Sequence, residues 1–500
     1  MPNSYRYASV REIHEAYLSG QATVTEVVNE FLSLIDKYNP YLHAVIEVNP
    51  DARAIAAKLD QTLADLHQQD ETITKDPSDP SAILPLLFGI PVLLKDNIST
   101  GDKLHTSAGA AALGDLLAPA DAPCARNLRE AGAVILGKAN LSEFANYYTE
   151  DNPNGWSARG GQAVNPYEPV PEDLSVFELG KYKQEEHFDP SSSSSGSGVA
   201  AAAGLCTVAV GTETSGSILS PSSCNSLIGC KPTAGLVSNE AVIPISPTLD
   251  TPGPMARTAD DCAILLAALA GLSSEAFSQQ YPEEDLSLSG LKFGVILPRK
   301  KEERGKWDPT DEEYAIFDAF LEKAEKAGVT LMRGADRGTN NGIMDLMKYE
   351  IKGSINAFLE WANKNGKRTR MHSLTDILDY VHAHPECSPY GHTLLEARDK
   401  DTSGKMDEPE YFEALHKREE AREKMAAYFD ENHLDAIISV DFPGFAPFGG
   451  FPAVTLPLGF RADGYPAAAF IYAKPGQDFR LIRIVKALAS LQPPIPHPNI

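Results

Sequence analysis

Seven short apolar runs punctuate this chain: Ile90–Leu94, Ala133–Leu136, Cys206–Val210, Lys292–Ile296, Ala436–Val440, Val454–Pro457 and Ala467–Tyr472. They are too short for helices and lack the polar alternation of half-exposed strands, so they read as strands buried on both faces. Helical patterns lie between and before them. Thr23 and Glu26 make a capping-box pair, followed by a stripe of Val27, Val28, Phe31, Leu32, Leu34 and Ile35 near a period of 3.6. A second helix is predicted from Asp51 to about Leu66, and long ones at Asp311–Ala327, Glu410–Asn432 and Asp478–Leu491. The stretch from Gln69 to Ser81, rich in Asp, Thr and Pro, reads as a surface loop. Strands alternating with helices predict an α/β sheet covered by helices.

At 500 residues, length alone would suit about three domains, but no composition break or internal repeat marks a boundary. A net charge of -25 argues against a nucleic-acid partner, because phosphate binding depends on Lys and Arg. The first residues show no basic region followed by an apolar stretch, and no uncharged run is long enough for a bilayer. A soluble, cytoplasmic protein without a membrane partner is expected. The six cysteines (Cys124, Cys206, Cys224, Cys230, Cys262 and Cys387) lack metal-binding spacing and are expected to be reduced, although Cys224 and Cys230 lie close enough to the serine block for one to be reactive.

That block, D-P-S-S-S-S-S-G-S-G-V-A-A-A-A-G from Asp189 to Gly204, is the only low-complexity run. Polyserine often serves as a linker. Here it leads into an alanine-rich helical stretch, Gly198–Leu205, with Gly204 as a C-cap, and then into a buried strand, which is the behaviour of a core segment. Two look-alikes lie elsewhere. G-A-V-I-L-G-K-A (Gly132–Ala139) has P-loop glycine spacing but puts Ala139 where a magnesium-binding hydroxyl belongs. Asp399, Asp401, Ser403, Gly404, Asp407 and Glu410 occupy EF-hand positions, but the loop is single and Pro409 precedes its last ligand, so a polar helix–helix connection is the better reading.

The serine block, V-G-T-E-T-S-G-S-I-L (Val210–Leu219) and Lys95 in G-I-P-V-L-L-K-D-N together resemble the Ser-Ser-Lys core of the amidase signature family. Further stretches extend the resemblance over nearly the whole chain: Leu128–Asn146, Asn154–Gln162, Gly229–Ser238, Leu249–Thr258 and Phe451–Phe460. N-G-W-S-A-R-G-G-Q and G-T-E-T-S-G-S-I look most like peptide amidases, which remove C-terminal carboxamides. The resemblance implies the family's α/β fold, a central mixed β-sheet covered by helices on both faces. It also implies a single amidase domain over 1–500: a helical portion at 1–80, a signature core at 81–270 and a C-terminal portion at 271–500 that completes the sheet.

The resemblance further implies roles. Ser217 is the nucleophile that forms an acyl-enzyme, Ser193 the bridging serine, held by a cis peptide, and Lys95 the base. The amides of Thr214, Ser215, Gly216 and Ser217 form the oxyanion hole, aided by a helix starting near Ser217. A lysine accepts a proton near neutrality only if burial disfavours its charge, and many strand-end lysines simply snorkel to solvent. No cofactor or metal is implied. The partner is a small-molecule amide, with a homodimer left open. An amidotransferase component that releases ammonia from glutamine, or an acyltransferase, are the alternatives, since an acyl-enzyme transfers to whichever nucleophile outcompetes water.

Departures from the family pattern bear on substrate range. Ser191 and Ser192 stand where glycines are common, Ser215 replaces the first glycine of G-G-S, and Leu219 replaces an arginine. Between Tyr167 and Asp189 the chain is roughly twenty residues longer than the family pattern, and such a loop is either a cover for the active-site mouth or a harmless insertion.

Overall fold

The structure is a computed structural model that describes residues 4–69, 83–171, 173–305, 308–364 and 369–500. The loop expected after residue 69 lies outside the described residues. Thirteen strands are found among them: β1 (Val45–Val48), β2 (Pro91–Lys95), β3 (Val134–Ala139), β4 (Trp156–Ser157), β5 (Gly161–Gln162), β6 (Val208–Glu213), β7 (Ile228–Lys231), β8 (Thr251–Ala256), β9 (Lys292–Val295), β10 (Thr330–Arg333), β11 (Ala436–Ser439), β12 (Ala453–Phe460) and β13 (Pro466–Tyr472). Each of the seven apolar runs forms one of these strands. β4 and β5 pair as a small ribbon, and the other eleven form one sheet in the order β1-β3-β2-β6-β8-β7-β12-β13-β11-β9-β10.

The sheet is mixed. β2 runs parallel to β3 and β6, and β9 parallel to β10 and β11, while the remaining neighbours are antiparallel. Every residue of β2, β3 and β6 is buried, as suits parallel strands covered on both faces. Side chains that alternate along a strand must point to opposite faces, and here they enter different cores. Ile438, Val454 and Ile471 join the core that holds helices Val24–Leu42, Ala259–Leu269 and Asp478–Ala489, whereas Ile437, Ala453 and Tyr472 join the one that holds Ile343–Asn363 and Leu374–Ala383.

Helix starts follow local chemistry. Thr23 caps Val24–Leu42 through a complete capping box with Glu26, and the same device opens Val10–Leu18 at Ser9 and Asp311–Lys326 at Thr310. The other expected helices are present as Ala52–Gln69, Pro409–Glu431 and Asp478–Ala489. The portion expected to be helical at 1–80 also supplies edge strand β1.

β8 was not legible, because its sequence is T-P-G-P-M-A. Proline cannot donate to a ladder, which ordinarily argues against a central strand. Pro252 and Pro254 occupy alternate positions, so the missing donors fall on one side of the strand. β7 reaches β8 only at Met255 and Ala256, beyond both prolines.

The two look-alikes are structural. Lys138 of the P-loop-like stretch is buried in β3, its Nζ donating to Ile98 O and to Thr106 Oγ1 at 3.0 Å. Asp399 and Asp401 lie within helix Thr393–Asp401 instead of wrapping an ion, and Asp399 Oδ1 pairs with Lys352 Nζ at 3.1 Å.

Candidate active site

β2 delivers Lys95 at its C-terminal end, between β3 and β6, where the side chain is fully buried. Its three donor directions meet Ser193 Oγ at 2.8 Å, Ser194 Oγ at 3.0 Å and Thr212 O at 3.1 Å. Burial pulls the ammonium pKa down to about 7, against the opposing pull of Asp250 and Glu213. The snorkelling alternative is thereby excluded by position: no part of Lys95 reaches water.

The serine block crosses in front of this amine. The Ser192–Ser193 peptide is cis, as the resemblance implied, and Ser191 has φ +61°. Ser191 therefore does occupy a left-handed position that glycine would favour. Hydrogen bonds fix it from both sides, with its N–H donating to Asp189 Oδ1 at 2.7 Å and its carbonyl accepting from Ser195 Oγ. Helix Ser195–Ala202 follows at once, and Gly204 ends it with φ +66°. At Gly196 the backbone comes so close to Asn140 that a Cβ would lie 2.5 Å from its amide nitrogen.

Ser217 sits on the turn after β6. Its carbonyl accepts from Ser194 N at 3.1 Å, which ties the turn to the serine block through the backbone. Ser217 is 8% exposed, whereas Ser193 and Lys95 are at 0%, so of the three only the nucleophile candidate touches solvent. Gly216 needs its identity twice over: φ is +96°, and a Cβ would lie 3.1 Å from Ser220 Oγ and 3.2 Å from the Phe442 ring.

Two buried carboxyls that sequence reasoning passed over hold this turn. Glu213 Oε2 accepts the amides of Ile218 at 2.8 Å and Leu219 at 2.9 Å, and the Gly216 amide also faces the Glu213 carboxyl. Asp250 accepts the Thr214 hydroxyl on Oδ1 and the amides of Ile245 and Ser246 on Oδ2 at 2.9 and 3.0 Å. Burial raises both carboxyls, Asp250 to about 7. Among the described residues the amides of Thr214, Ser215 and Ser217 donate to no other acceptor, which leaves them for an oxyanion. The helix expected near Ser217 is short, Leu219–Cys224.

The long stretch before the serine block packs on the same region. Gln184 donates from Nε2 to Asp189 Oδ2 at 3.0 Å and accepts from Asn154 N at 3.0 Å, while Asn154 Nδ2 also reaches Asp189 Oδ2 at 2.9 Å. Phe177, Tyr182 and His187 cluster beneath it, with Tyr182 stacked on His187 at 5.3 Å. All six cysteines are free. Burial pushes the Cys224 thiol up to about 12 and raises Cys230 further, which opposes the reactive reading of either.

The Amidase family profile matches residues 26–450. A probable amidase of Arabidopsis thaliana is 35% identical over 93% of this chain and 86% of its own length. A glutamyl-tRNA(Gln) amidotransferase component from Microcystis aeruginosa is also 35% identical, but over 58% of this chain and 53% of its own. Among solved structures, the peptide amidase of Stenotrophomonas maltophilia superposes with a TM-score of 0.80 at 31% identity over 99% of both chains. Profile, sequence relatives and fold agree, and this chain belongs to the Amidase family.

Proposed function

We propose that the protein hydrolyses the C–N bond of a linear carboxamide, a small amide or a C-terminal peptide amide, through an acyl-enzyme on Ser217. The observation that carries this reading is the buried Lys95 amine 2.8 Å from Ser193 Oγ, in a setting that favours its neutral form. Neutral Lys95 takes the Ser193 proton as Ser193 takes that of Ser217, and Ser217 Oγ attacks the carbonyl carbon. The tetrahedral oxyanion is met by the amides of Thr214, Ser215 and Ser217, with Gly216 between them. The proton returns from Lys95 through Ser193 to the leaving nitrogen, and water then cleaves the ester.

The peptide-amidase likeness supports a carboxamide at the end of a peptide as one substrate class. Coverage of only about half the matched amidotransferase chain supports hydrolysis over ammonia transfer to a partner. The sheet, which draws strands from Val45 to Tyr472, supports one amidase domain. Six unpaired cysteines support a reducing, cytoplasmic setting. The test is covalent: a serine-directed phosphonate should add once, on Ser217, and a panel of primary amides should give the matching acyl-enzyme mass. An adduct on another serine overturns the assignment.

A further inference from the structure

Three side chains outside the catalytic region converge where helix Leu374–Ala383 connects to helix Thr393–Asp401. His382 lies in the last turn of the first helix. His392 is the N-cap of the second, and Glu396 follows four residues later, one turn along the same face. One ligand atom from each lies within 4.8 Å of the others. The His382 and His392 rings are 4.8 Å apart at 64°, and His382 Nε2 is 4.0 Å from Glu396 Oε1.

The geometry points to a binding site for a Zn²⁺-class transition-metal cation, held by His382, His392 and Glu396, with water completing the shell. Two imidazoles and one carboxylate suit zinc and its neighbours, whereas Mg²⁺ and Ca²⁺ demand oxygen ligands. Bonds of about 2.0–2.2 Å in a tetrahedral shell place ligand atoms roughly 3.4 Å apart, so closure needs about 1.4 Å of movement. The side chain of His382, 50% exposed at a helix end, has room to supply it. Ser388 Oγ lies 3.3 Å from His392 Nδ1. With Nδ1 donating there, the Nε2 lone pair is left for the ion, the usual division of labour in a ligating histidine. Burial and the neighbouring His382 lower the His392 pKa, favouring the neutral imidazole a metal requires. Lys400 Nζ, which donates to Glu396 Oε1 at 2.7 Å, is the cation that the metal displaces.

An ion there would clip the connection that carries Tyr390, whose ring meets Trp156 of β4 edge-on at 5.1 Å and whose carbonyl accepts from Thr149 Oγ1 at 3.3 Å. The test is zinc uptake by the chelator-treated full chain, measured by equilibrium dialysis against ZnCl₂ and by the visible spectrum of the Co²⁺ form. Wild type should take up one ion per chain more than the double variant His382→Ala/His392→Ala. His382→Gln alone, at the exposed ligand, should weaken binding at least about tenfold, and Ser388→Ala by about 10–100-fold. Equal metal-free melting temperatures establish that the variants are folded. Uptake by the double variant equal to wild type, unchanged affinity in His382→Gln, or no saturable uptake by wild type would each overturn the site.

Discussion

Lys95 unites two properties that water would keep apart: its side chain is wholly buried, yet all three of its donor directions are met. A neutral amine can take a proton from Ser193, and a protonated one cannot. Activity should therefore rise as pH passes through about 7, the value to which burial lowers this group, and stay high above it. In a pH profile, Lys95→Ala should lose the rising limb with most of the rate. Lys95→Arg should do no better, because guanidinium does not deprotonate in this range. An alanine variant that keeps near-wild-type activity with a limb near 6.5 would indicate a histidine base instead. Ser217→Ala should abolish acyl-enzyme formation by mass spectrometry while leaving the melting temperature within a few degrees of wild type, because removing one hydroxyl leaves the turn's carboxyl contacts in place. Lys95, Ser193 and Ser217 were legible because each sits in a contiguous, recognisable segment. Ser194, Glu213 and Asp250 were not, since each acquires its role only from what the fold places opposite it. His382 and His392 are likewise ten residues apart, a spacing that signals nothing until the helix connection brings them together.

At the scale of elements, the turn after β6 is held by acceptors and the stretch before the serine block is held by Asp189. Gly216→Ala imposes a side chain at φ +96° and against Phe442. It is expected to destabilise the protein by about 1 kcal/mol or more, read by thermal melting, and to slow acylation because the amides on either side shift. The stretch from Phe177 to Lys183 contains no group of the proposed relay, but it is continuous with Gln184, which touches Asn154 and Asp189. Shortening it should change the preference among amides in a substrate panel and leave Ser217 labelling intact. Loss of labelling in a folded variant would place the stretch in the chemistry instead. Element existence was legible wherever pattern was local, as in the Thr23–Glu26 box and the apolar runs. β8 was hidden because Pro252, Gly253 and Pro254 make a strand only between β6 and β7. β10 was hidden because an edge strand so short and so exposed carries no apolar signature.

For the whole molecule, buried ionisable groups set opposing pH trends. Glu143, Asp250 and Asp261 are raised by burial to about 8, 7 and 6. Each favours the folded state most below its unfolded pKa of about 4, and that contribution is lost as pH rises through the folded value. Lys95, Lys138 and Lys231 are lowered to about 7, 8 and 8. Their burial penalty is present below those values and fades as pH rises towards about 10.4. Glu143 isolates the first trend, since it accepts from Ala158 N at 2.8 Å and its burial has no cation to offset it. Glu143→Gln should flatten the fall in melting temperature between pH 5 and 8, and an unchanged slope would show that Glu143 does not hold a proton in the folded protein.

The order of the sheet also bears on how the chain is made. β1, β3, β2, β6, β8 and β7 come from residues 45–256, while β12, β13, β11, β9 and β10 come from residues 292–472. The halves meet where β7 pairs with β12 at Lys231 and Cys230. On a ribosome, where the earlier part of a chain emerges and folds first, Lys95, Ser193 and Ser217 have their own strands in hand before Phe442 is synthesised. The reacting serine is placed first, and the wall against Gly216 arrives afterwards.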